Sequence, residues 1–337
     1  MRSRTSSATT LKSIAKKANV SVATVSRVIN NSDHVGPNAR RSVEKVMKDL
    51  NYDRKRAVRR NGVHGRRIGL LVADITDPFY PPLLKGVSHA AMSNNADLVF
   101  CDLARDPKIE TYWAESLRAS RIDGIIQAPA GERLNPLTVK MIAEGFPLVL
   151  LLDHAIEDQN ICVVTTDREV GVYHATKYLL DLGHRDILFV AGPPHLNTSV
   201  ARGRGYRSAL SNAGITPAPE KMVFCDGSYE GAYSLLLEVK EKLQFSAVIA
   251  QTDMMAAGIW KALTDKGVRV PDDVSLIGYD DTMISRVLSL TTVAQPTYEI
   301  GKNALALVLD IINGRREPPQ RVVLRDSLII RNSCKKL

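Results

Sequence analysis

The sequence of 337 residues contains few cysteines, few aromatic side chains and no long apolar run. Its four cysteines are widely scattered without a CxxC pair, which fits neither a disulfide framework nor a zinc site. No apolar run reaches the roughly 18 residues of a membrane span, and the polar opening MRSRTSSATT does not resemble a signal peptide. We therefore expect a soluble, cytoplasmic protein that needs no metal or other cofactor and has no membrane partner.

Positive charge is concentrated at one end of the chain. Residues 1–67 contain 17 Lys and Arg against 4 Asp and Glu, a net charge of +13, although the whole chain carries +9. The remaining residues hold 28 basic against 32 acidic side chains, or −4. Clustered Lys and Arg neutralise phosphates and release counterions. This asymmetry predicts a small nucleic-acid-binding module followed by a larger core of about two lobes.

Three short helices are predicted in the basic module. Apolar residues recur at helical spacing from Leu11 to Ala18, and Ser21 is placed to cap a second helix over 22–29. A third helix, from Pro37 to about Leu50, supplies apolar residues that complete a small core. Two short helices joined by a three-residue turn form a helix-turn-helix, whose second helix fits the major groove of DNA.

The stretch TLKSIAKKANVSVATVSRVINNSDHV, followed by LNY, closely resembles the DNA-binding head of the lactose-repressor (LacI/GalR) family of bacterial transcription regulators. The resemblance implies that Val22, Ala23 and Arg27 read bases. It also implies contacts to the phosphate backbone, from Thr10, Ser21, Thr24, Ser26, Asn30 and His34. The guanidinium of Arg27 fits O6 and N7 of guanine, whereas Val22 and Ala23 offer only apolar contact, for example to a thymine methyl group.

From Arg67 onward, short apolar runs alternate with helical stretches. The runs IGLLVAD, DLVFCD, GIIQAP and PLVLLLD form one series, and DILFVAG, MVFCD, SAVIAQ and VSLIGYDD form a second series after Val163. Apolar strands joined by helical crossovers indicate parallel sheets that are covered on both faces. The predicted fold is therefore an α/β core of two doubly wound parallel-sheet lobes, with a small all-α helix-turn-helix domain before it.

The core resembles the effector domain of the same family, which is itself similar to periplasmic sugar-binding proteins. The matching pieces include IGLLVADITDPFY, NTSVARGRGYRSAL and VPDDVSLIGYDD. The resemblance implies three crossings between the lobes, near Val164, Ala294 and Leu324. The predicted domains are a DNA-binding domain at 1–51, a linker at 52–66, and a core for effector binding and dimerisation at 67–337, with lobe 1 at about 67–164 and 294–320 and lobe 2 at about 165–293 and 321–334.

Polar residues directly after strands are the candidate ligand-binding groups. Asp280 ends VSLIGYD, Asp253 follows SAVIAQ, and Arg202 precedes a helix predicted from Arg204; all three match ligand-contacting positions of the family. An arginine fork and two carboxylates suit a polyhydroxylated ligand, because each group forms paired hydrogen bonds with vicinal hydroxyls. The resemblance also implies an aromatic pocket wall, formed by Phe79, Tyr80 and Tyr229. For an isolated aspartate at a strand end, a loop-capping role is the alternative.

These features predict a ligand-responsive, sequence-specific transcriptional regulator. We favour a repressor controlled by a small metabolite, a sugar or sugar derivative above all, although a sugar acid, polyol or purine and either direction of control stay open. Two heads are needed to read two half-sites, so we expect a homodimer on a pseudo-palindromic operator in double-stranded DNA. The alternative is an enzyme acting on a sugar or nucleotide, but the sequence lacks the GxxxxGK[ST], GxSxG and HExxH motifs.

The linker departs from the family pattern. Family members typically have a proline soon after the Asn-Tyr pair and a leucine that wedges into the minor groove from a short hinge helix. Here the segment reads NYDRKRAVRRNGVHGRR, with Arg54 in the proline position and Asn61 about where the leucine is expected. Val58, Arg59 and Arg60 fall in the part expected to contact DNA. A basic linker that stays unfolded is the alternative.

Without a strong wedge, the linker is expected to bind DNA through arginine insertion and phosphate contact. The operator should then bend only weakly, and the affinity should fall steeply with salt. Circular-permutation gel shifts measure the bend. A sharp central bend that is abolished by Val63→Ala would show that a wedge operates.

Overall fold

The computed structural model describes residues 11–29, 35–50, 65–128, 134–151, 161–242 and 244–337. The chain separates into two compact units, Met1–Gly65 and Arg66–Leu337. Within these ranges, no helix is both long and apolar enough to cross a lipid bilayer.

The first unit contains the three short helices that the sequence predicts, namely α1 (Leu11–Ala18), α2 (Val22–Ile29) and α3 (Pro37–Asp49). Asn19 has a positive φ of 52°, which turns the chain between α1 and α2. Asparagine tolerates this left-handed conformation better than most residues do. Ser21 then caps α2, because its Oγ accepts a hydrogen bond from the Thr24 N–H at 3.1 Å.

A small apolar core holds the three helices together. Ile14, Val25 and Val43 are fully buried in it, one from each helix. The hydroxyl of Ser42 also donates to the Ala18 carbonyl oxygen, at 3.2 Å, and so ties α3 to the end of α1. The second helix is therefore held by burial of one face, while its other face is exposed.

The second unit alternates strands and helices along the chain. Its described strands are β1 (Arg66–Val72), β2 (Ala96–Asp102), β3 (Gly124–Gln127), β4 (Leu148–Leu151), β5 (Cys162–Thr166), β6 (Ile187–Ala191), β7 (Met222–Phe224), β8 (Ala247–Ala250), β9 (Ser275–Asp280), β10 (Thr291–Ala294), β11 (Gln320–Leu324) and β12 (Ser327–Ile329). Its described α-helices are α4 (Tyr80–Ser93), α5 (Pro107–Ala119), α6 (Pro136–Ala143), α7 (Arg168–Asp181), α8 (Asn197–Asn212), α9 (Tyr229–Lys242), α10 (Asp253–Asp265), α11 (Met283–Val287) and α12 (Thr297–Ile312).

The strands form two six-stranded sheets, one in each lobe. The order in the first sheet is β11-β5-β4-β3-β1-β2, with every neighbouring pair parallel. The order in the second sheet is β12-β10-β9-β8-β6-β7, and only β12 runs antiparallel to its neighbour. The predicted fold class, two doubly wound lobes and a helical head, is confirmed.

Both faces of each sheet are covered by helices. In the first lobe, α4 and α12 pack on one face, and α5 and α6 pack on the other. In the second lobe, α9 and α10 cover one face while α7 and α8 cover the other. Burial on both sides explains why strands such as β6 are apolar at every position, without the alternation of a half-exposed strand.

The chain crosses between the lobes three times. It leaves the first sheet after Thr166, returns through Gln295 and Pro296, and leaves again between β11 and β12. The expected boundary of the first lobe at about residue 320 needs correction, because Gln320–Leu324 pairs in parallel with Cys162–Thr166 in the first sheet. The first lobe therefore extends to Leu324.

Candidate functional site

The candidate base-reading residues share the outer face of α2. Val22, Ala23 and Arg27 are exposed, whereas Val25 and Val28 point into the small core of the head. Val22 and Ala23 are neighbours in the chain, and Arg27 follows Ala23 by four residues, about one turn, so the three side chains share one exposed side of the helix. This face therefore presents two small apolar groups and one guanidinium, a combination that can contact base edges in a major groove.

Two of the residues predicted to contact phosphate build the start of α2. The Oγ of Ser21 accepts from the Thr24 N–H and lies 2.9 Å from the Thr24 hydroxyl oxygen. The other predicted positions in the head and linker lie outside the described residues, namely Thr10, Asn30, His34, Val58, Arg59 and Arg60. The side chain of Ser26 also falls outside what the structure describes.

A cavity of about 730 Å³ lies between the two lobes of the core. Its walls follow the carboxyl ends of strands in both sheets, where open α/β sheets bind their ligands. Five of the six predicted ligand-binding residues line it, namely Phe79, Tyr80, Arg202, Tyr229 and Asp280. The volume falls within the roughly 300–1,000 Å³ typical of small-molecule sites. Five residues predicted from the sequence therefore lie along one cavity, and they come from both lobes.

Arg202 is the most deeply placed of these groups, with only 4% of its surface exposed. It lies within α8, which starts at Asn197 and not at Arg204 as predicted. Its Nη1 donates to the Gln251 carbonyl oxygen at 2.7 Å, and its Cζ lies 3.7 Å from the ring centroid of Tyr279. Its Nε is buried without a hydrogen-bond partner among the described residues. A buried donor without a partner is costly, and the hydrogen bond to Gln251 and the contact with the Tyr279 ring offset part of the cost of burying this guanidinium.

Asp280 projects into the cavity from a strained turn. Asp280 and Asp281 have φ values of 111° and 55°, a region that non-glycine residues rarely occupy outside functional sites. The Oδ1 of Asp280 accepts from the Gln295 amide at 2.7 Å and lies 3.8 Å from an Arg202 nitrogen. Burial raises the pKa of Asp280 well above its usual range, against the opposing charge of Arg202. Its Oδ2 has no hydrogen bond to any described residue, so one oxygen is available to a ligand.

Asp253 does not line the cavity, and its predicted ligand contact is corrected. Its carboxylate is fully buried and accepts from the N–H of Thr282 at 2.7 Å, the Thr282 hydroxyl at 3.0 Å and the Thr292 hydroxyl at 2.6 Å. Burial raises the pKa of Asp253, although these hydrogen bonds lower it. A Cβ at Gly278 would lie only 2.3 Å from Asp253 Oδ1, so glycine makes room for the buried carboxylate. Asp253 is thus a cap for the loop that follows Asp280.

The first lobe contributes a charged cluster that the sequence analysis missed. The Arg105 side chain bridges two carboxylates, with Nε 3.4 Å from Asp74 Oδ2 and Nη2 3.1 Å from Asp77 Oδ2. Ala104 and Arg105 both have positive φ, 47° and 53°, which points to a functional constraint on this loop. Asp74 lies two residues after the first strand and could have been found by the same rule that identified Asp280, whereas Asp77 lies five residues after it. Nothing in the sequence marks Arg105.

Two glutamines at strand ends were also missed. Gln251 follows β8, and its Oε1 accepts from the Gly192 N–H at 2.9 Å, which joins two loops of the cavity wall. Gln295 follows β10 and bonds Asp280. Both end apolar runs, VIAQ and TTVAQ, and a polar residue at that point was the available signal. Across the described residues, no three His, Cys, Asp or Glu side chains converge as they would around a metal ion.

The chain combines a helix-turn-helix module with a core that has a cavity between its two lobes. Together these two features define a DNA-binding protein with a small-molecule site. The family model described as "Bacterial regulatory proteins, lacI family" matches residues 10–55, and "Periplasmic binding protein-like domain" matches residues 176–334. The chain belongs to the LacI family of bacterial regulatory proteins.

Similar proteins cover nearly the whole chain. The HTH-type transcriptional regulator DegA of Bacillus subtilis (strain 168) is 31% identical over 335 residues, covering 98% of this chain and 99% of DegA. The ribose operon repressor of Haemophilus influenzae is 33% identical over 337 residues, covering 97% of this chain and 99% of that repressor. Among solved structures, the complex of the transcriptional regulator CelR with cellobiose has a TM-score of 0.74 at 29% identity, covering 97% of this chain and 100% of CelR.

The predicted class of function is confirmed by these findings. The chain is a DNA-binding transcriptional regulator, whose family binds operator DNA and small-molecule effectors. The relatives named above are regulators, so the enzyme alternative is discarded.

Proposed function

We propose that this regulator is a cytoplasmic repressor whose operator binding is controlled by a neutral sugar held between the lobes of its core. The proposal rests on one observation above all: the Arg202 guanidinium and the Asp280 carboxyl group lie 3.8 Å apart and line the same cavity as three aromatic side chains. One group donates and the other accepts, as vicinal hydroxyls require. Its cytoplasmic location follows from the site of its DNA target in a bacterium.

The aromatic side chains support a ring-shaped ligand. Phe79 and Tyr80 are both buried, and their ring centroids lie 5.3 Å apart in an edge-to-face arrangement. Tyr229 lines the cavity from the second lobe. A sugar ring presents apolar C–H groups to such surfaces while its hydroxyls reach the polar groups. The ribose operon repressor and the CelR–cellobiose complex are similar regulators whose names connect them with sugars.

The charge of the lining favours a neutral ligand over a sugar acid or phosphate. Carboxyl groups outnumber guanidinium groups in the wall, the former being Asp74, Asp77, Asp226, Glu230 and Asp280 and the latter Arg105, Arg168 and Arg202. Arg105 is engaged by two of the carboxylates, and Arg202 lies against a third. Even with Asp280 left out because its pKa is raised, four carboxylates face three guanidinium groups. An anionic ligand would therefore meet more negative than positive side chains, and like charges repel.

A thermal-shift panel with the full-length chain tests the ligand class. We expect D-ribose or cellobiose to raise the Tm, and D-gluconate and hypoxanthine to leave it unchanged; a ligand at 100 times its Kd adds about 2.7 kcal/mol. Arg202→Ala and Asp280→Ala should each weaken sugar binding by about 1.5–3 kcal/mol, because each removes a charged hydrogen-bonding partner.

Arg204→Ala is the matched control for the panel. Arg204 lies on the same helix as Arg202, but its exposed side chain pairs with Glu169 outside the cavity. Its variant should retain the full sugar response. A sugar shift that persists in both Arg202→Ala and Asp280→Ala would remove the cavity from consideration, and a response to gluconate or hypoxanthine alone would overturn the neutral-sugar assignment.

Sequence-specific DNA binding depends in this proposal on the outer face of α2. Arg27→Ala should weaken binding to an operator, selected from a random duplex library, by about 1–3 kcal/mol. The dependence on salt should change little, because phosphate contacts set its slope. Fluorescence anisotropy on operator and random duplexes at two salt concentrations measures both quantities.

Arg41→Ala controls for the loss of one positive charge, since Arg41 is exposed on α3 and not on the recognition helix. It should affect operator and random DNA alike. If Arg27→Ala weakened binding to the operator and to random DNA equally, Arg27 would be a phosphate contact and not a base-reading residue.

A homodimer is proposed because two half-sites need two heads. The short helix α11 carries Met283 and Val287 one turn apart, 67% and 75% exposed. Adjacent exposed apolar side chains of this size mark an interaction surface. Val287→Glu should shift the protein from dimer to monomer in sedimentation equilibrium, whereas Tyr112→Glu, at an isolated exposed residue on α5, should not. A dimer that survives Val287→Glu unchanged would place the interface elsewhere.

Ligand control in this proposal works through the relative population of lobe arrangements. A sugar that contacts Phe79 on the first lobe and Arg202 on the second stabilises the arrangement in which both walls reach it. The coupling is reciprocal, so operator binding must change sugar affinity by the same factor that sugar changes operator affinity. Anisotropy on the operator duplex with and without D-ribose or cellobiose therefore gives the direction of control.

A further inference from the structure

Each of the three lobe crossings contributes one polar side chain to a common network. Thr166 ends β5 at the first crossing, Gln295 lies on the second, and Asp326 lies between β11 and β12 on the third. We call this the crossing network. It joins these three residues to three from the second lobe, namely Arg202, Tyr279 and Asp280.

One branch of the crossing network runs through the amide of Gln295. The Thr166 hydroxyl donates to Gln295 Oε1 at 3.1 Å, and Gln295 Nε2 donates to Asp280 Oδ1 at 2.7 Å. Thr166 and Gln295 are both buried. The Gln295 amide is bonded at both ends, by Thr166 at its oxygen and by Asp280 at its nitrogen. A change in the position of Asp280 therefore alters the hydrogen bond between Gln295 and Thr166 at the first crossing.

The other branch runs through Tyr279. Its fully buried hydroxyl donates to Asp326 Oδ2, and its ring lies beneath the guanidinium of Arg202 at 3.7 Å. Arg202 in turn lies 3.8 Å from Asp280 Oδ1, which closes the network into a loop. The two groups proposed to contact the sugar are thus joined to all three crossings.

Thr166 has two acceptors for its single hydroxyl proton. In the structure it donates to Gln295, yet it also lies within hydrogen-bonding reach of Asp326, where it lowers the pKa of that carboxyl. Burial acts in the opposite direction and leaves the pKa of Asp326 raised. Asp326 Oδ1 is buried and has no partner in the described part of the chain. The Thr166 hydroxyl is therefore engaged by the Gln295 amide on one side, and on the other side lies near a buried carboxyl group that has one oxygen without a partner among the described residues.

We propose that Tyr279, Gln295 and Asp326 are positioning residues that transmit sugar contact at Arg202 and Asp280 to the three lobe crossings. The inference rests on the proposed function, in which a sugar touches those two residues. A sugar hydroxyl that bonds the free oxygen of Asp280 shifts the carboxyl group, and with it the Gln295 amide bonded to Oδ1 and the Thr166 hydroxyl bonded to that amide. Coupling between distant sites is carried by contiguous hydrogen-bonded and packed side chains, and the crossing network is contiguous from Arg202 and Asp280 to all three crossings.

Hydrogen exchange of the full-length protein without ligand tests the transmission. Asp280→Ala removes the acceptor of Gln295, and Tyr279→Phe removes the donor to Asp326 while it keeps the aromatic face beneath Arg202. Each should accelerate backbone exchange by about tenfold at all three crossings, in residues 166–168, 295–297 and 325–327, as expected for loss of a hydrogen bond to a charged group.

Tyr206→Phe is the matched control, because Tyr206 is also a buried tyrosine of the second lobe, and its hydroxyl donates to the Ile187 carbonyl oxygen at 2.8 Å outside the crossing network. The Tyr206→Phe variant should leave the backbone exchange rates at the three crossings within about twofold of the wild-type rates. The proposal is overturned if Asp280→Ala leaves 325–327 unchanged, or if Tyr279→Phe acts only at 325–327. The exchange experiment contains no sugar, so a negative result there would not affect the result of the thermal-shift panel. A negative result in the panel would overturn the proposed function, but it would not change the measured exchange rates.

Discussion

The Arg202 guanidinium has to be buried with its charge compensated, and much of the second lobe is arranged around that requirement. A buried charge is tolerated only when it is paired and hydrogen bonded. Arg202 obtains a carbonyl oxygen from the end of β8, an aromatic face from β9 and a carboxylate at the end of β9. Helix α8 and these two strand ends must therefore converge at one point, and this point is the floor of the cavity.

A polar layer lies beneath that floor, and it restricts the residues around it. A Cβ at Gly171 would lie 2.7 Å from the Tyr279 hydroxyl oxygen and 3.0 Å from Asp326 Oδ2. Glycine is therefore needed where α7 passes the pair. On the other side of β9, Asp253 fixes the loop after Asp280 from below. The cavity thus combines groups that face the ligand with buried groups that hold them in place.

The fold was predictable from the sequence because uninterrupted apolar runs and helical stretches alternate so regularly. The cavity was predictable in part, since a polar residue at a strand end identified Asp280, and the resemblance to the family pointed to Arg202. The same rule failed for Asp253, because spacing along the chain does not tell whether a side chain at a helix start turns toward solvent or under the next strand. It could not find Arg105, whose position depends on two residues with positive φ. Nor could it pair Thr166 with Gln295, which meet only after the chain has crossed between the lobes.

Three crossings also make each lobe discontinuous in the chain, and this affects its synthesis on the ribosome. The first sheet lacks its edge strand until Gln320–Leu324 has been made to pair with Cys162–Thr166, and the second lacks β12 until shortly afterwards. The described core of the helical head is built from residues close together in the chain and can fold as soon as it emerges. In a nascent chain, the DNA-binding head is therefore complete long before the ligand-binding core is complete. A messenger RNA truncated near its end would encode a DNA-binding head that no ligand regulates.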